Sequence, residues 1–334
     1  MISIVMPVYN EEKYIDNCIQ SLLNQDYPLD DMEWIFVDGC SKDRTKEIIN
    51  EYKEKYPNLI KIYDNPQKIV PFAMNIGIKN STGKYIIRLD AHAEYDSDYF
   101  SKCVHYLDTI DADNVGGTME TKSRTKMGNI IAKMLSSKFG VGNSQFRTDG
   151  KSGYVDTVPF GAFKREVFSK YGGYDERLVR NQDNEMNYRI RKNGGKIFLA
   201  RDINLAYYCR ETIGGISSMA RKNGQWNIIT MKLCPGSMGM RHFVPFAFVL
   251  SIPFLIGLGF ALWPLWIVFG LEMILYLCLD CFYSAKLCDS VSSFWTLLLL
   301  FPIFHISYGV GSIVGLFSLF SKKYQKNGYV PEKI

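Results

Sequence analysis

Ile2-Ser3-Ile4-Val5-Met6-Pro7-Val8, residues 2–8, is a short apolar run that decides how the rest of the chain is read. Ile2, Ile4, Val5 and Val8 predict a buried strand. Ile15, Cys18, Ile19, Leu22 and Leu23 follow at helical spacing, and residues 34–37 form a second strand-like run. A helix carrying Ile48, Ile49 and Tyr52, a strand over 59–63, a short helix over 72–78 and a strand over 85–89 continue the alternation. Strand and helix taking turns at this tempo point to an α/β fold, a mostly parallel sheet with flanking crossover helices. Ligands on such sheets sit beyond the carboxyl ends of the strands, so a site is expected after Val8, Val37 and Leu89. Between 113 and 210 the pattern loosens, and this stretch reads as the rest of one domain spanning 1–212.

The remaining composition narrows the classes. The 334 residues carry 39 Lys and Arg against 34 Asp and Glu, a net charge of +5. So mild a balance, without any dense basic run, excludes a nucleic-acid binder. Eight cysteines are scattered singly, except Cys278-x-x-Cys281, which lies in an apolar run without a second pair. Reduced structural thiols are expected rather than a zinc or redox site. The first apolar run contains Pro7 and meets Glu11, Glu12 and Lys13 at once, so it is no signal peptide, and the domain is expected to stay in the cytoplasm.

From residue 243 the chain changes solvent. Runs over 243–260, 262–282 and 295–320 compare with the about 20 apolar residues that a helical crossing needs. They predict two to three transmembrane or membrane-associated helices within 243–320. Glu272, Asp280 and His305 fall inside these runs and require partners. Lys322, Lys323 and Lys326, in a basic tail over 321–334, favour a cytoplasmic C-terminus. Three full crossings from a cytoplasmic start would place that tail outside, so one run is expected to be re-entrant or interfacial. Before them, 213–242 mixes apolar residues with Arg221, Lys222 and Lys232 and reads as an amphipathic interfacial linker, with Trp226 as an anchor.

Three acidic residues stand where the sheet argument looks for a site. Asp38 ends the second strand in Val37-Asp38-Gly39-Cys40-Ser41-Lys42-Asp43-Arg44-Thr45. Asp90 ends another in Arg88-Leu89-Asp90-Ala91-His92. Asp183 lies in Asn181-Gln182-Asp183-Asn184-Glu185, at the start of a helix with Met186 and Ile190. A lone Asp in such a place is commonly a helix cap. Two of them after strands of one sheet face one crevice. A nucleoside diphosphate needs a divalent cation to neutralise its phosphates, and hard cations prefer carboxylate oxygen. Asp90 and His92, two apart on a strand end, point the same way. An imidazole suits manganese better than magnesium. Sugar transfer with inversion needs a base on the acceptor hydroxyl, for which Asp183 is the candidate. Arg189 and Arg191 either face a departing diphosphate or cover a helix face, and Lys42 and Arg44 either touch phosphate or are solvated.

These segments resemble a known family. Ser3-Ile4-Val5-Met6-Pro7-Val8-Tyr9-Asn10-Glu11-Glu12 resembles the opening strand of inverting family 2 glycosyltransferases, which adopt the GT-A fold. Residues 38–45 resemble their D-D-G-S-x-D-x-T motif, and Asn75-Ile76-Gly77 through Asp90-Ala91-His92 resembles the approach to their D-x-D signature. Gly161 through Tyr171-Gly172-Gly173-Tyr174-Asp175-Glu176 to Asp183 resembles the stretch ending in their E-D motif. The match is ordered, covers 3–210 and is specific as a set. Together with Gly224-Gln225-Trp226 and His305-Ile306-Ser307-Tyr308-Gly309, it looks closest to succinoglycan-type, membrane-anchored exopolysaccharide transferases. The resemblance implies that Pro7, Tyr9, Glu11 and Asp38 line the nucleoside pocket. It implies that Asp90 and His92 hold a divalent cation (Mn2+ or Mg2+) and the diphosphate, and that Asp183 is the base. Gly39, Gln182 and His92 depart from the family pattern, standing for Asp, Glu and Asp.

The expectation is therefore transfer of a single sugar from a nucleotide sugar, by the family resemblance a UDP-sugar, to a lipid-linked saccharide at the cytoplasmic face of the cell membrane, in exopolysaccharide or capsule biosynthesis. A processive polysaccharide synthase carries Q-x-x-R-W, which Gln225-Trp226 does not fit. A non-catalytic donor-binding subunit is opposed by the three intact carboxylates. No G-x-G-x-x-G follows the first strand and no P-loop is present, which excludes a dehydrogenase and a P-loop kinase.

Overall fold

The structure is a computed structural model that describes residues 1–147, 151–321, 324 and 329–334. Lys322, Lys323 and Lys326 of the basic tail lie outside the described residues. In chain order the first elements are β1 (Ile2–Val8), α1 (Ile15–Leu23), β2 (Met32–Asp38), α2 (Thr45–Lys55), β3 (Ile60–Asp64), α3 (Val70–Lys79) and β4 (Tyr85–Arg88). Then come β5 (Ala93–Tyr95), α4 (Tyr99–Thr109), β6 (Asn114–Lys122), α5 (Lys126–Leu135), α6 (Lys138–Val141), β7 (Gly153–Tyr154) and β8 (Ala162–Lys164). The chain continues through α7 (Glu166–Tyr171), α8 (Gln182–Lys192), β9 (Ile197–Tyr208), α9 (Ile213–Leu233), α10 (Val244–Gly259), α11 (Pro264–Leu287) and α12 (Val291–Ser318).

Two compact units result: Met1–Glu120 with Asp149–Tyr207 and Gly328–Ile334, and Thr121–Thr148 with Tyr208–Asn327. The linear boundaries at 212, 242 and 320 divide the chain differently. The segment 121–148 groups with the C-terminal helices because α5 shares their core, and the last residues group with the sheet.

In the first unit the strand order is β3-β2-β1-β4-β8-β6-β9-β5, with β7 on β9. β1 to β4 pair in parallel, whereas β8 runs antiparallel to β4 and to β6. This is the GT-A-like mixed sheet. Every residue of β2 is buried, as expected for parallel strands covered on both faces, which is why they read as unbroken apolar runs rather than as alternation. Gly77 lets α3 come down on β1: a Cβ there would lie 2.3 Å from Val5 Cγ1. The register sets Val8 opposite Asp38 and Val5 opposite Arg88, so the ends of β1, β2 and β4 open at one edge. Residues 329–334 belong to this unit. Gly173 N–H donates to the Glu332 carbonyl at 2.8 Å, Ile334 N–H to the Phe168 carbonyl at 3.2 Å, and Lys79 pairs with Glu332 at 2.6 Å.

The second unit is helical. Ile131, Leu135, Ile216, Ala220, Leu300 and Phe301 meet in one apolar core drawn from α5, α9 and α12. The stretch read as an amphipathic interfacial linker holds the 21-residue helix α9, which packs along α12. Backbone contact replaces side-chain contact there: a Cβ on Gly224 or Gly311 would lie 1.9 Å from the carbonyl of Tyr308 or Arg221 respectively. Trp226 is buried against Tyr324 rather than exposed as an anchor. Glu272, Asp280 and His305, inside the apolar helices, each find at least one partner, although Glu272 Oε2 and Asp280 Oδ2 are buried without one among the described residues. Glu272 accepts from Ser251 at 2.6 Å, Asp280 from Ser284 at 3.1 Å, and His305 lies within 3.0 Å of Tyr276 Oη and 2.9 Å of the Phe139 carbonyl. All eight cysteines are free, Cys278 and Cys281 among them.

Candidate active site

The cleft is built from two loops that leave neighbouring parallel strands. Gly39 N–H donates to the Val8 carbonyl at 2.8 Å, Glu11 N–H to Thr45 Oγ1 at 2.7 Å, and Lys42 N–H to Asn10 Oδ1 at 2.8 Å. Side chains of the second loop thus satisfy the backbone of the first, and reciprocally, so the loops hold their shape without secondary structure. Between them and α3 opens a cavity of about 120 Å³ lined by Pro7, Tyr9, Glu11, Asp90 and His92, five of the residues expected there. Asn65 and Lys68 line it as well, and nothing in their local sequence marked them.

Asp38 does not join them. Its side chain is buried, and its carboxylate accepts from the Ser41 N–H at 3.1 and 3.2 Å and from the Ser41 hydroxyl at 2.5 Å. The carboxylate closes the turn after β2 and leaves the cavity wall to Val37 and Gly39. Gly39 has a local reason for its identity: a Cβ would press on the Tyr9 ring at 3.2 Å. Arg44 is spent on a two-pronged pair with Glu47 at 3.0 and 3.1 Å and faces solvent.

His92 is held from both sides. Its Nδ1 lies 3.0 Å from Glu11 Oε1 and its Nε2 2.9 Å from the Tyr207 hydroxyl. Burial alone would depress its pKa, but Tyr207, the Glu11 hydrogen bond and the Asp90 charge outweigh it and hold the imidazole well above its ordinary value. Both ring nitrogens are therefore engaged by protein groups. Among the described residues, no group of three or more His, Cys, Asp or Glu side chains is arranged to hold a metal.

The residue that joins the site together is one that the sequence reading passed over. Arg88, the last residue of β4 and 5% exposed, reaches Asp183 Oδ2 at 2.9 Å through Nη1 and Asp90 Oδ1 at 3.4 Å through Nη2. Burial would lower its pKa, yet the two carboxylates raise it further, so the guanidinium stays charged. Asp183 sits in the first turn of α8, where the helix dipole favours a negative charge. It remains 39% exposed and open to an incoming group.

The base of α8 is locked from behind. Glu185 and Arg189, four apart, pair at 2.8 and 2.9 Å, and Arg189 also donates to the carbonyls of Tyr171, Gly172 and Gly173. Arg189 is thus a structural clamp on the loop before α8, its guanidinium taken up by Glu185 and three carbonyls. Asn75 grips the same loop, accepting from Tyr174 N–H at 2.7 Å and donating to the Tyr174 carbonyl at 3.0 Å. Five non-glycine residues among those described have left-handed backbones: Asn10, Cys40, Lys68, Phe160 and Asn181. Lys68 lines the cavity, Asn10 and Cys40 are chain neighbours of lining residues, Phe160 lies over Arg88, and Asn181 precedes α8. Such strain persists where surrounding structure over-determines it, typically at working sites.

The profile of glycosyl transferase family 2 matches residues 3–172, half of the chain. A dolichyl N-acetyl-α-D-glucosaminyl phosphate 3-β-D-2,3-diacetamido-2,3-dideoxy-β-D-glucuronosyltransferase of Methanococcus voltae is 30% identical over 68% of this chain and 76% of its own length. The succinoglycan biosynthesis protein ExoA of Rhizobium meliloti is 31% identical over 62% of this chain, which spans 63% of that protein. Among solved structures, the mannosyltransferase PcManGT of Pyrobaculum calidifontis, in complex with GDP-Man and Mn2+, superposes with a TM-score of 0.64 at 17% identity, covering 93% of this chain and 86% of that one. Residues 1–349 of S. aureus TarS, in complex with UDP, superpose with a TM-score of 0.53 at 17% identity, covering 95% and 91%. At such identities these two structures establish the fold.

Proposed function

We propose, from the premise that this chain belongs to glycosyl transferase family 2 and is a glycosyltransferase, that it moves one sugar, with inversion, from a UDP-sugar to a lipid-linked saccharide acceptor in exopolysaccharide or capsule biosynthesis. The observation that carries this reading is the single guanidinium of Arg88 between Asp90, in the nucleotide cleft, and Asp183, at the open start of α8. One carboxylate faces the donor side and the other the acceptor side. Pro7, Tyr9 and Glu11 contact the nucleoside, and Asp38 acts by shaping the turn beneath it. Asp183 takes the proton from the acceptor hydroxyl as its oxygen attacks the anomeric carbon and the nucleoside diphosphate departs. A divalent cation, when bound, neutralises charge on the departing diphosphate. Such an ion, shared with the substrate, would be held by Asp90, which supplies oxygen; His92 could join only after losing a proton and leaving Glu11 or Tyr207. Manganese is the choice that an imidazole ligand favours, and PcManGT was captured with that ion.

The membrane supplies the acceptor. Among the described residues three helices are long and apolar enough to cross it, and we place the catalytic unit on the cytoplasmic side. Residues 329–334, after the last apolar helix, belong to the catalytic unit, which supports an even number of crossings. In α12, 44% of the apolar stretch is buried in protein, against 17% in α10 and 6% in α11. This favours α10 and α11 as the crossing pair. An impermeant thiol reagent should then label a cysteine at Leu262 and one at Val330 from opposite sides, and labelling from one side would refute the pairing.

A panel of labelled nucleotide sugars offered with membrane extracts tests the reaction. Label should enter the lipid fraction as a single addition with the wild type and not with Asp183→Asn, whose UDP–Mn2+ affinity by calorimetry stays unchanged. A ladder of long products would refute single-sugar transfer, and transfer by Asp183→Asn would remove the base assignment.

A further inference from the structure

We infer that Arg88 is a positioning residue, one that fixes the aim of Asp183 from the strand that carries the donor-side carboxylate; the inference rests on Asp183 as base. Asp183 is a short side chain in the first turn of α8, preceded by Asn181 in a left-handed backbone, and it is partly solvent-exposed. On its own it would rotate among its staggered conformations. Arg88 removes that freedom from a rigid place. Its N–H donates to the Gly161 carbonyl at 3.0 Å, its strand lies in parallel register with β1, and the Phe160 ring lies over its guanidinium at 6.0 Å from the ring centre.

The two ion pairs differ in a useful way. The contact to Asp183 is 2.9 Å and that to Asp90 is 3.4 Å, so the firmer grip is on the acceptor side. Two carboxylates around one guanidinium leave one negative charge, which Asp90 can present to the donor while Asp183 stays held. The planar fork of arginine serves two carboxylates at once, which the point charge of lysine cannot do. Arg88 Nε, buried and without a hydrogen-bond partner among the described residues, shows that the fork is placed for its terminal nitrogens rather than for full satisfaction.

The test uses the full chain in detergent and four proteins: wild type, Arg88→Met, Arg88→Lys and Asp183→Asn. Turnover is read with the nucleotide sugar that labels the lipid fraction, and binding with UDP and Mn2+ by calorimetry. Misaiming a reacting group by an ångström costs on the order of 100-fold in rate, so Arg88→Met should lose about that much kcat while its UDP–Mn2+ affinity stays within about threefold. Arg88→Lys should recover about tenfold of the loss, because it restores charge without the fork. Equal falls in affinity and turnover, or a lysine variant no better than methionine, would overturn the inference. Should Arg88→Met fail to fold, Arg88→Lys decides alone: lower kcat at unchanged affinity supports the role, and wild-type kcat overturns it. A dead Asp183→Asn beside a fully active Arg88→Met would sink the role of Arg88 only. An active Asp183→Asn would sink the base assignment beneath it.

Discussion

Glu33→Gln should destabilise the first unit by about 3 kcal/mol at neutral pH and by almost nothing near pH 2. Glu33 is 4% exposed near the start of β2, and its carboxylate accepts from Ser3 Oγ and Lys61 Nζ at 2.6 Å and from Thr82 Oγ1 at 2.9 Å. Burial pushes its pKa up, but Lys61, Ser3 and Thr82 together outweigh burial and bring it from 4.5 down to about 2. A folded pKa below the unfolded one means the charged form is what the fold stabilises. That contribution is complete above the unfolded value and is lost as pH falls through the folded one. At about 1.36 kcal/mol for each pH unit separating the two, the contribution comes to about 3 kcal/mol. Glutamine imitates the protonated acid, so wild type and variant should converge as pH falls. The assay is denaturant unfolding of the detergent-solubilised chain at several pH values from 7 to 2.5, followed by the fluorescence of buried Trp34. A stability gap that stays constant across this range, or one under about 1 kcal/mol at pH 7, would refute the reasoning. Because Glu33 lies at the opposite end of β2 from Asp38, the folded variant should transfer sugar at the wild-type rate.

Two further outcomes follow from close backbone approaches. Gly39→Ala places a methyl 3.2 Å from the Tyr9 ring, so the donor KM should rise about three- to tenfold, roughly 1 kcal/mol, with kcat within twofold; an unchanged KM would separate Tyr9 from the donor. Gly311→Leu drives a side chain into the Arg221 carbonyl, since even its Cβ would lie 1.9 Å away. Forcing α9 and α12 apart should cost roughly 1–3 kcal/mol, seen as faster limited proteolysis of the second unit, and a wild-type digestion rate would contradict the packing.

The parallel half of the sheet was legible because β1, β2 and β4 are buried on both faces and so advertise themselves as unbroken apolar runs. The strand-end rule pointed to the segments after Val8 and Leu89, the family resemblance named Pro7, Tyr9 and Glu11 there, and these meet Asp90 and His92 at one cavity. Position after a strand does not fix where a side chain turns, however. Asp38 satisfies its own turn through Ser41, a local hydrogen-bonding option open to any Asp at a strand end. Arg88 left one signal in Tyr85-Ile86-Ile87-Arg88-Leu89: an arginine inside an apolar strand demands a buried anion. Which anion it meets depends on α8, almost a hundred residues later in the chain. Glu185 and Arg189 carried the spacing of a helical ion pair, but the three carbonyls that Arg189 also binds belong to a loop that no local pattern places beside it. The basic residues of α9 that give it a membrane-surface reading are visible in sequence; the glycine seam that packs it on α12 is visible only in three dimensions.

The hexapeptide from Tyr329 to Ile334 braces the loop that runs into α8, beneath Gly172, Gly173 and Arg177. Simply stopping the chain at residue 242 to obtain a water-soluble enzyme would take this wedge away together with the oily helices. Adding it back in trans as a synthetic peptide would return support to the active-site loop, while the face of α9 that α12 covers would still need a cover of its own.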